Sequence, residues 1–235
     1  MNPDLIQAAI SDKTKAIMPV SLFGQMPNME KISAIAADHG IPVIEDGAQS
    51  FGAMRHGKRS CSSSLIGSTS FFPAKVFGCY GDGGALFTSN PELADKIRIL
   101  RVHGQEQRYD HRLLGIAGRL DTIQAAILMA KLPHYAEEIE NRQAVAKRYS
   151  ANFFGIVKTP EIKKDRSSVW SQYTIRSQAR DLIQQRLKTE SIPSAIQYPK
   201  PLHLQRCFEY LGYSQGDFPI AESVSNEIIS LPMNP

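Results

Sequence analysis

The sequence predicts an α/β domain on a mostly parallel sheet, followed by a small α+β domain. Three observations carry this prediction. Apolar β-rich runs alternate with amphipathic helical patterns through the first half. A long helical pattern then follows Pro133, and beyond about Gly155 the texture changes to short strands and helices in mixed order. On this division residues 1–132 form the larger domain, 133–155 a connecting helix and 156–235 the smaller domain.

The elements justify themselves in order. "KAIMPV" is a short β-rich run, and "NMEKISAIAADHG" places Met29, Ile32, Ile35 and Ala36 on one helical face, between Asn28 as N-cap and Gly40 as C-cap. "IPVIED" is a second apolar run. Strand, helix and strand over this length make a βαβ unit, whose two strands are parallel. "STSFF" and "ALFTS" read as further strands. "NPELADKIRILRVHG" has Asn90 as N-cap, Pro91 at the first helical position and Gly104 past the end. In "RLDTIQAAILMAKL" the stripe is Leu120, Ile123, Ile127 and Ala130, and Pro133 breaks it before "PHYAEEIENRQAVAKRYSANFF". Later, "VWSQYTIRS" alternates as a strand, "RDLIQQRLKTE" is an amphipathic helix, "PSAIQYP" is a short strand, and two helical patterns end the chain.

Composition narrows the function classes. Of 235 residues 42% are hydrophobic and 21% charged, as in an ordinary globular chain. The net charge of +4 is mild, and the densest basic run, "NRQAVAKRY", is a solvated helix face rather than a nucleic-acid footprint. No apolar run reaches membrane-spanning length, and the first residues lack the build of a signal peptide. Cys61, Cys79 and Cys207 form no Cys-x-x-Cys pair, which argues against a disulfide framework or a zinc site. A cytoplasmic protein with neither nucleic-acid nor membrane partners and no metal is expected.

The chemistry-bearing residues gather in two stretches. "SFFPAKVFGCYGDGGALF" sets Lys75 among apolar and aromatic residues, either as an ammonium snorkelling to water or as an amine made nucleophilic by low-dielectric surroundings. "IPVIEDGAQSFGA" puts Glu45 and Asp46 at the carboxyl end of a strand, where open α/β sheets bind ligands, with Gln49 just past it. Strand alternation lets only one of the two acids face the crevice. A lysine and a carboxylate on neighbouring strand ends suit pyridoxal phosphate, which needs an amine for its carbonyl and an anion for its pyridine nitrogen. Ser70, five residues before Lys75, offers a hydroxyl to a phosphate, and Gly81, Gly83 and Gly84 read as turn glycines rather than a phosphate loop.

"VSLFGQ", "VIEDGAQSFGA", "SFFPAKVFGCYGDGGA", "RVHGQ", "GRLDTIQAAIL", "IQYPKPLHLQ" and "SLPMNP" come in the order and spacing of the DegT/StrS sugar aminotransferases. The chain resembles that family over its whole length, and within it the branch that aminates C3 of UDP-linked 3-keto-N-acetylglucuronate for bacterial surface polysaccharide. The resemblance implies a fold-type-I transferase that uses pyridoxal 5'-phosphate, a UDP-sugar substrate, glutamate as amino donor and a homodimer with the active site at its interface. It implies that Lys75 is the Schiff-base lysine, that Asp46 pairs the pyridine nitrogen, that Gln49 occupies the neighbouring cofactor-contacting position and that Ser70 contacts the phosphate. It further implies that Arg119 lies in a segment crossing the dimer interface, where its guanidinium forks onto a uronate carboxylate, that Tyr198 lies near the substrate, and that His103 follows a helix facing the site.

The chain also departs from the family. Ala117 replaces an asparagine that reaches the partner's cofactor phosphate, Gln197 stands where histidine is frequent, and Ala74 replaces a serine beside the lysine. By the same resemblance the chain is expected to lack an upstream helix N-terminus that cradles the phosphate, and the usual last helix. Two alternatives stand beside the aminotransferase: a truncated, non-catalytic remnant, favoured by the expected missing segments and by Ala117, and a sugar dehydratase of the same fold, opposed by Lys75.

Overall fold

The computed structural model describes residues 1–234. "IPVIED" supplies β1 (Ile44–Asp46), which pairs in parallel with β2 (Ile66–Ser70). β2 pairs antiparallel with β3 (Gly84–Phe87), so the sheet is mixed at that edge. On the other side of β1, "KAIMPV" forms only two parallel bridges, Ile17 to Val43 and Val20 to Asp46, rather than the expected strand. Pro19 explains this: it has no N–H to give, although its carbonyl accepts the N–H of Asp46 at 3.0 Å.

α1 (Met29–Asp38) crosses between these two pieces. The Asn28 side chain accepts from the N–H of Lys31 at 3.2 Å, and the expected stripe is inward, with Met29, Ile32 and Ala36 buried and Ile35 partly so. α2 (Pro91–Leu100) is capped by Asn90, which accepts from Leu93 at 3.0 Å. α3 (Thr122–Lys131) differs from expectation. Leu128 is its buried residue and Ile127 is half-buried, while Ile123 is 68% exposed and Ala130 also faces water. The inward face is rotated because Gln124 and Lys131 are turned toward the loop before β3. A 3₁₀ turn at Leu132–His134 separates α3 from α4 (Tyr135–Asn152).

The core joins Met26, Met29, Ile32, Val43, Phe71, Phe77, Leu128, Tyr135 and Val169. Burying each such side chain contributes roughly 1.5–3 kcal/mol. Phe51 stands at the centre of an aromatic group, stacked on Phe77, Phe87 and Tyr135 and edge-on to Phe71.

The chain divides into two compact units, Met1–Ile139 with Ile162–Ser171, and Glu140–Glu161 with Gln172–Pro235. Residues 162–171 therefore belong with the first unit rather than with 156–235. Arg166 donates to the Met26 carbonyl at 2.5 Å, and Ser168 bridges Gln25, both within that unit. The second unit holds β4 (Tyr173–Arg176), α5 (Arg180–Thr189), α6 (Pro219–Glu227) and β5 (Ile228–Leu231), with β4 and β5 antiparallel. "VWSQYTIRS" is thus strand only over its second half, since Trp170 takes a left-handed φ of 51°. "PSAIQYP" forms a single bridge, Ala195 to Ser230, instead of a strand. Among the described residues no helix is long and apolar enough to cross a membrane.

Candidate active site

β1 and β2 run side by side with Asp46 opposite Ser68. Period-two alternation then places Asp46, Ser68 and Ser70 on one face and Glu45, Gly67 and Thr69 on the other. Burial follows the same division: the first three are half-buried, the second three fully buried. The two acids therefore lie on opposite faces of the sheet. Glu45 is 0% exposed and accepts from Ser21 Oγ at 2.9 Å, Ser60 Oγ at 2.8 Å and the N–H of Cys61 at 2.8 Å. Asp46 is the half-buried acid at the carboxyl end of the strand. Its Oδ1 accepts the N–H of Ala48 at 2.9 Å, and Oδ2 has no hydrogen-bond or ion-pair partner among the described residues.

Gln49 is buried, and its Oε1 accepts the N–H of Phe23 at 2.7 Å. Phe23 sits at φ 59°, beside Gly24, in the turn after Ser21. Composition and periodicity gave no signal for this contact. It depends on a left-handed aromatic residue that no propensity favours.

Beyond Ser70 the chain loops out and returns to Phe71. The Phe71 N–H donates to the Gly83 carbonyl at 2.8 Å, and its carbonyl accepts from the N–H of Cys79 at 2.7 Å. Lys75 lies in the intervening turn, its N–H bonded to the Phe72 carbonyl at 2.9 Å. α3 braces the loop from outside: Gln124 Oε1 accepts from the Tyr80 N–H at 2.9 Å, and Lys131 Nζ donates to the Gly78 carbonyl at 2.6 Å. These two positions in "DTIQAAILMAK" were missed as supports because they read as the polar side of a helix. None of Gly81, Gly83 and Gly84 has a positive φ. They serve close approach instead, since a Cβ on Gly84 would lie 2.8 Å from the Thr69 carbonyl oxygen.

The Lys75 side chain is half-buried, and its ammonium has no hydrogen-bond or ion-pair partner among the described residues. Ser70 Oγ accepts from the Phe72 N–H at 3.2 Å, and its hydroxyl proton goes to no acceptor among the described residues. A cation, a carboxylate oxygen and a hydroxyl donor are thus left with unused valences around the carboxyl ends of two adjacent parallel strands.

The remaining sequence candidates lie elsewhere. Arg119 is exposed, in the loop whose Ala117 bridges Val102. His103 is exposed at φ 66°, its N–H bonded to the Ile116 carbonyl at 2.9 Å, so its backbone closes the end of α2. Tyr198 belongs to the second unit and is 54% exposed. Oε1 of its neighbour Gln197 is buried with no hydrogen-bond partner among the described residues.

Against known proteins, the DegT/DnrJ/EryC1/StrS aminotransferase family matches residues 1–235. The chain belongs to this family. Among relatives in the DegT/DnrJ/EryC1/StrS family, it is 47% identical over 236 residues to the UDP-2-acetamido-2-deoxy-3-oxo-D-glucuronate aminotransferase of Pseudomonas aeruginosa, covering 100% of this chain and 65% of that protein. The chain therefore spans about 65% of the length of this curated relative. A solved DegT-family aminotransferase from Brucella abortus superposes with a TM-score of 0.95 at 44% identity, covering 100% of this chain and 65% of the other. DesV of S. venezuelae, solved with a ketimine intermediate, gives 0.97 at 36% identity, covering 100% and 64%.

Proposed function

We propose that this chain carries the cofactor-binding core of a pyridoxal-phosphate-dependent aminotransferase acting on a nucleotide-linked keto sugar. A UDP-linked 3-keto-N-acetylglucuronate is the substrate type and glutamate the amino donor. The observation that carries the reading is the set of unused valences on Lys75, Asp46 and Ser70. An amine, an anion and a hydroxyl donor are what the carbonyl, the pyridine nitrogen and the phosphate of this cofactor require. Kinship to the Pseudomonas enzyme supports the sugar class.

Bound there, pyridoxal phosphate supplies a carbonyl that carries the amine between donor and sugar, and a ring that takes up electrons from the reacting carbon. The protein's part follows from charge and placement. Asp46 holds a proton on the ring nitrogen by direct charge pairing. Its Oδ1 accepts the Ala48 N–H, and Oδ2, without a partner among the described residues, would be available to the ring nitrogen. Gln49, three residues past Asp46 and held by the Phe23 N–H, is the neighbouring candidate for a cofactor contact. Ser70 donates its hydroxyl proton to the phosphate. Lys75, with no counter-ion among the described residues, would move the proton at the sugar carbon as general base and acid. Arg119 is the candidate for a substrate carboxylate and Tyr198 for the sugar.

A second copy of the chain completes this reading. Ile123 and Met129 on α3 and Leu132 in the turn after it, 68%, 74% and 55% exposed, are apolar side chains suited to burial against another protomer.

The test is a titration of the chain with pyridoxal phosphate, followed by incubation with a UDP-linked 3-keto hexuronate and glutamate. Saturable cofactor uptake and release of 2-oxoglutarate are expected. Uptake no tighter by the wild type than by Lys75→Ala would overturn the cofactor reading. Uptake with no sugar-dependent 2-oxoglutarate release beyond the one equivalent that glutamate and cofactor give by themselves would overturn the substrate assignment.

A further inference from the structure

Glu45 is the one fully buried acid among the described residues, and nothing in the proposed chemistry uses it. Burying a carboxylate is costly unless hydrogen bonds replace its water, whereas an apolar side chain would fill the same space at no such cost. Here the compensation comes from two distant pieces of chain. Ser21 donates to Oε1 from the turn after the first β-bridged segment, and Ser60 and Cys61 donate to Oε1 and Oε2 from the loop before β2.

Both pieces also hold the turn that bears Asp46 and Gln49. The Ser21 N–H donates to the Asp46 carbonyl at 2.9 Å, and two residues later Phe23 holds Gln49. Ser60 Oγ lies 2.6 Å from the hydroxyl of Ser50, the residue after Gln49. The loop of Ser60 and Cys61 presses directly under Gly47, where a Cβ would come 2.4 Å from Cys61 Sγ and 2.8 Å from Ser60 Oγ. Asp46 and Gln49 are therefore fixed from behind at their carbonyl, their side chain and their neighbours. Three of the residues in those supports, Ser21, Ser60 and Cys61, donate to the Glu45 carboxylate, and Phe23 follows Ser21 by two residues.

We propose that Glu45 is a positioning residue, whose buried carboxylate sets the placement of Asp46 and Gln49 toward the cofactor ring. It acts on the ring through its neighbours and touches no reacting atom. The assignment rests on the cofactor reading above for its purpose, though not for its geometry.

The test compares Glu45→Leu and Glu45→Gln in the full chain. Leucine keeps the site buried and strands the Cys61 N–H and both hydroxyls. Glutamine can accept from Cys61 through its oxygen and donate to the serine hydroxyls, which rotate to receive it. Backbone hydrogen exchange on cofactor-free protein should speed up selectively at residues 46–50 in Glu45→Leu, with the amides of β2 and β3 unchanged. Pyridoxal phosphate should bind Glu45→Leu at least about tenfold more weakly, and Glu45→Gln within about threefold of wild type. Exchange that rises equally across the sheet would make Glu45 a general staple and overturn the proposal, as would a folded Glu45→Leu chain with wild-type affinity. If Glu45→Leu does not fold, Ser60→Ala, which deletes one donor, is read by the same two measurements and the same outcomes. If the wild-type chain takes up no cofactor, the aminotransferase reading fails, and the exchange map alone decides the role of Glu45.

Discussion

The side-chain carbonyl of Gln49 accepts the backbone N–H of Phe23 at 2.7 Å, holding a left-handed aromatic residue against the carboxyl end of β1. A buried N–H left without its acceptor costs about 1–3 kcal/mol. Gln49→Leu should therefore lower stability by that amount in denaturant titrations and weaken cofactor binding as well. Gln49→Glu retains an acceptor and should recover most of the stability. Equal stability of Gln49→Leu and wild type would show that Phe23 is held by other contacts.

Among the described residues Lys75 has no ion-pair partner to lose, so Lys75→Ala should leave the fold and its thermal midpoint nearly unchanged while transamination disappears. Positioned proton transfer alone is worth about 10²–10⁴-fold. Borohydride reduction of wild-type protein treated with pyridoxal phosphate, followed by peptide mapping, should tag Lys75. A tag on another lysine would move the assignment there.

For Asp46, the informative change is to Asn. The amide can still accept from the Ala48 N–H, so the turn should persist and the cofactor should still bind. Without the negative charge the ring nitrogen loses its proton, and turnover should fall by about 10²-fold or more. Full turnover in Asp46→Asn would leave this acid as no more than a cap of the turn.

These sites differ in how far the sequence exposed them. The caps at Asn28 and Asn90 and the inward stripe of α1 were legible, because local pattern determines them. "IPVIED" was legible as a strand, but alternation gives parity and not phase, so Glu45 and Asp46 could not be told apart until pairing with β2 fixed the faces. Ile123 was misassigned because α3 spends part of its inward face on Gln124 and Lys131, which brace the Lys75 loop. β5 was not foreseen at all: its partner β4 lies far away in sequence, and only that pairing makes Ile228–Leu231 a strand. The roles of Phe23 and Trp170 were hidden for a third reason, since both occupy left-handed backbone that propensities disfavour.

Acid should weaken the first unit through Asp165. Hydrogen bonds from Arg166, with the further charge of Arg55, hold its carboxyl down to about 2 from an ordinary 3.8. Arg166 contacts it at 2.8 and 3.1 Å, and Arg55, itself 5% exposed, pairs with it from the other side. Because the folded value is the lower one, ionised Asp165 favours the folded chain fully above about pH 4. That contribution is lost as the pH falls toward 2. Asp165→Asn should therefore be less stable than wild type at pH 6, with the gap closing between about pH 4 and 2. A gap of constant size across that range would show that the charge of Asp165 is not what stabilises the fold.

Cysteine reactivity offers a check on the floor beneath Asp46. Burial pushes the Cys61 thiol up to about 11; the hydrogen bond with Ser60 lowers it, and the nearby carboxylates of Glu45 and Asp46 add to the rise. The thiolate is the reactive form, so at pH 8 only about one Cys61 in a thousand is reactive at any moment, and burial blocks approach as well. Cys79 is 1% exposed, while Cys207 is exposed. Native protein at pH 8 should therefore take up one equivalent of a thiol reagent, on Cys207, and three after unfolding in denaturant. In Glu45→Leu, which unpins the Ser60–Cys61 loop, Cys61 should become a second, slower site under native conditions. Rapid labelling of Cys61 in the wild-type chain would mean that this loop opens freely, and that the turn bearing Asp46 and Gln49 lacks the rigid support described for it.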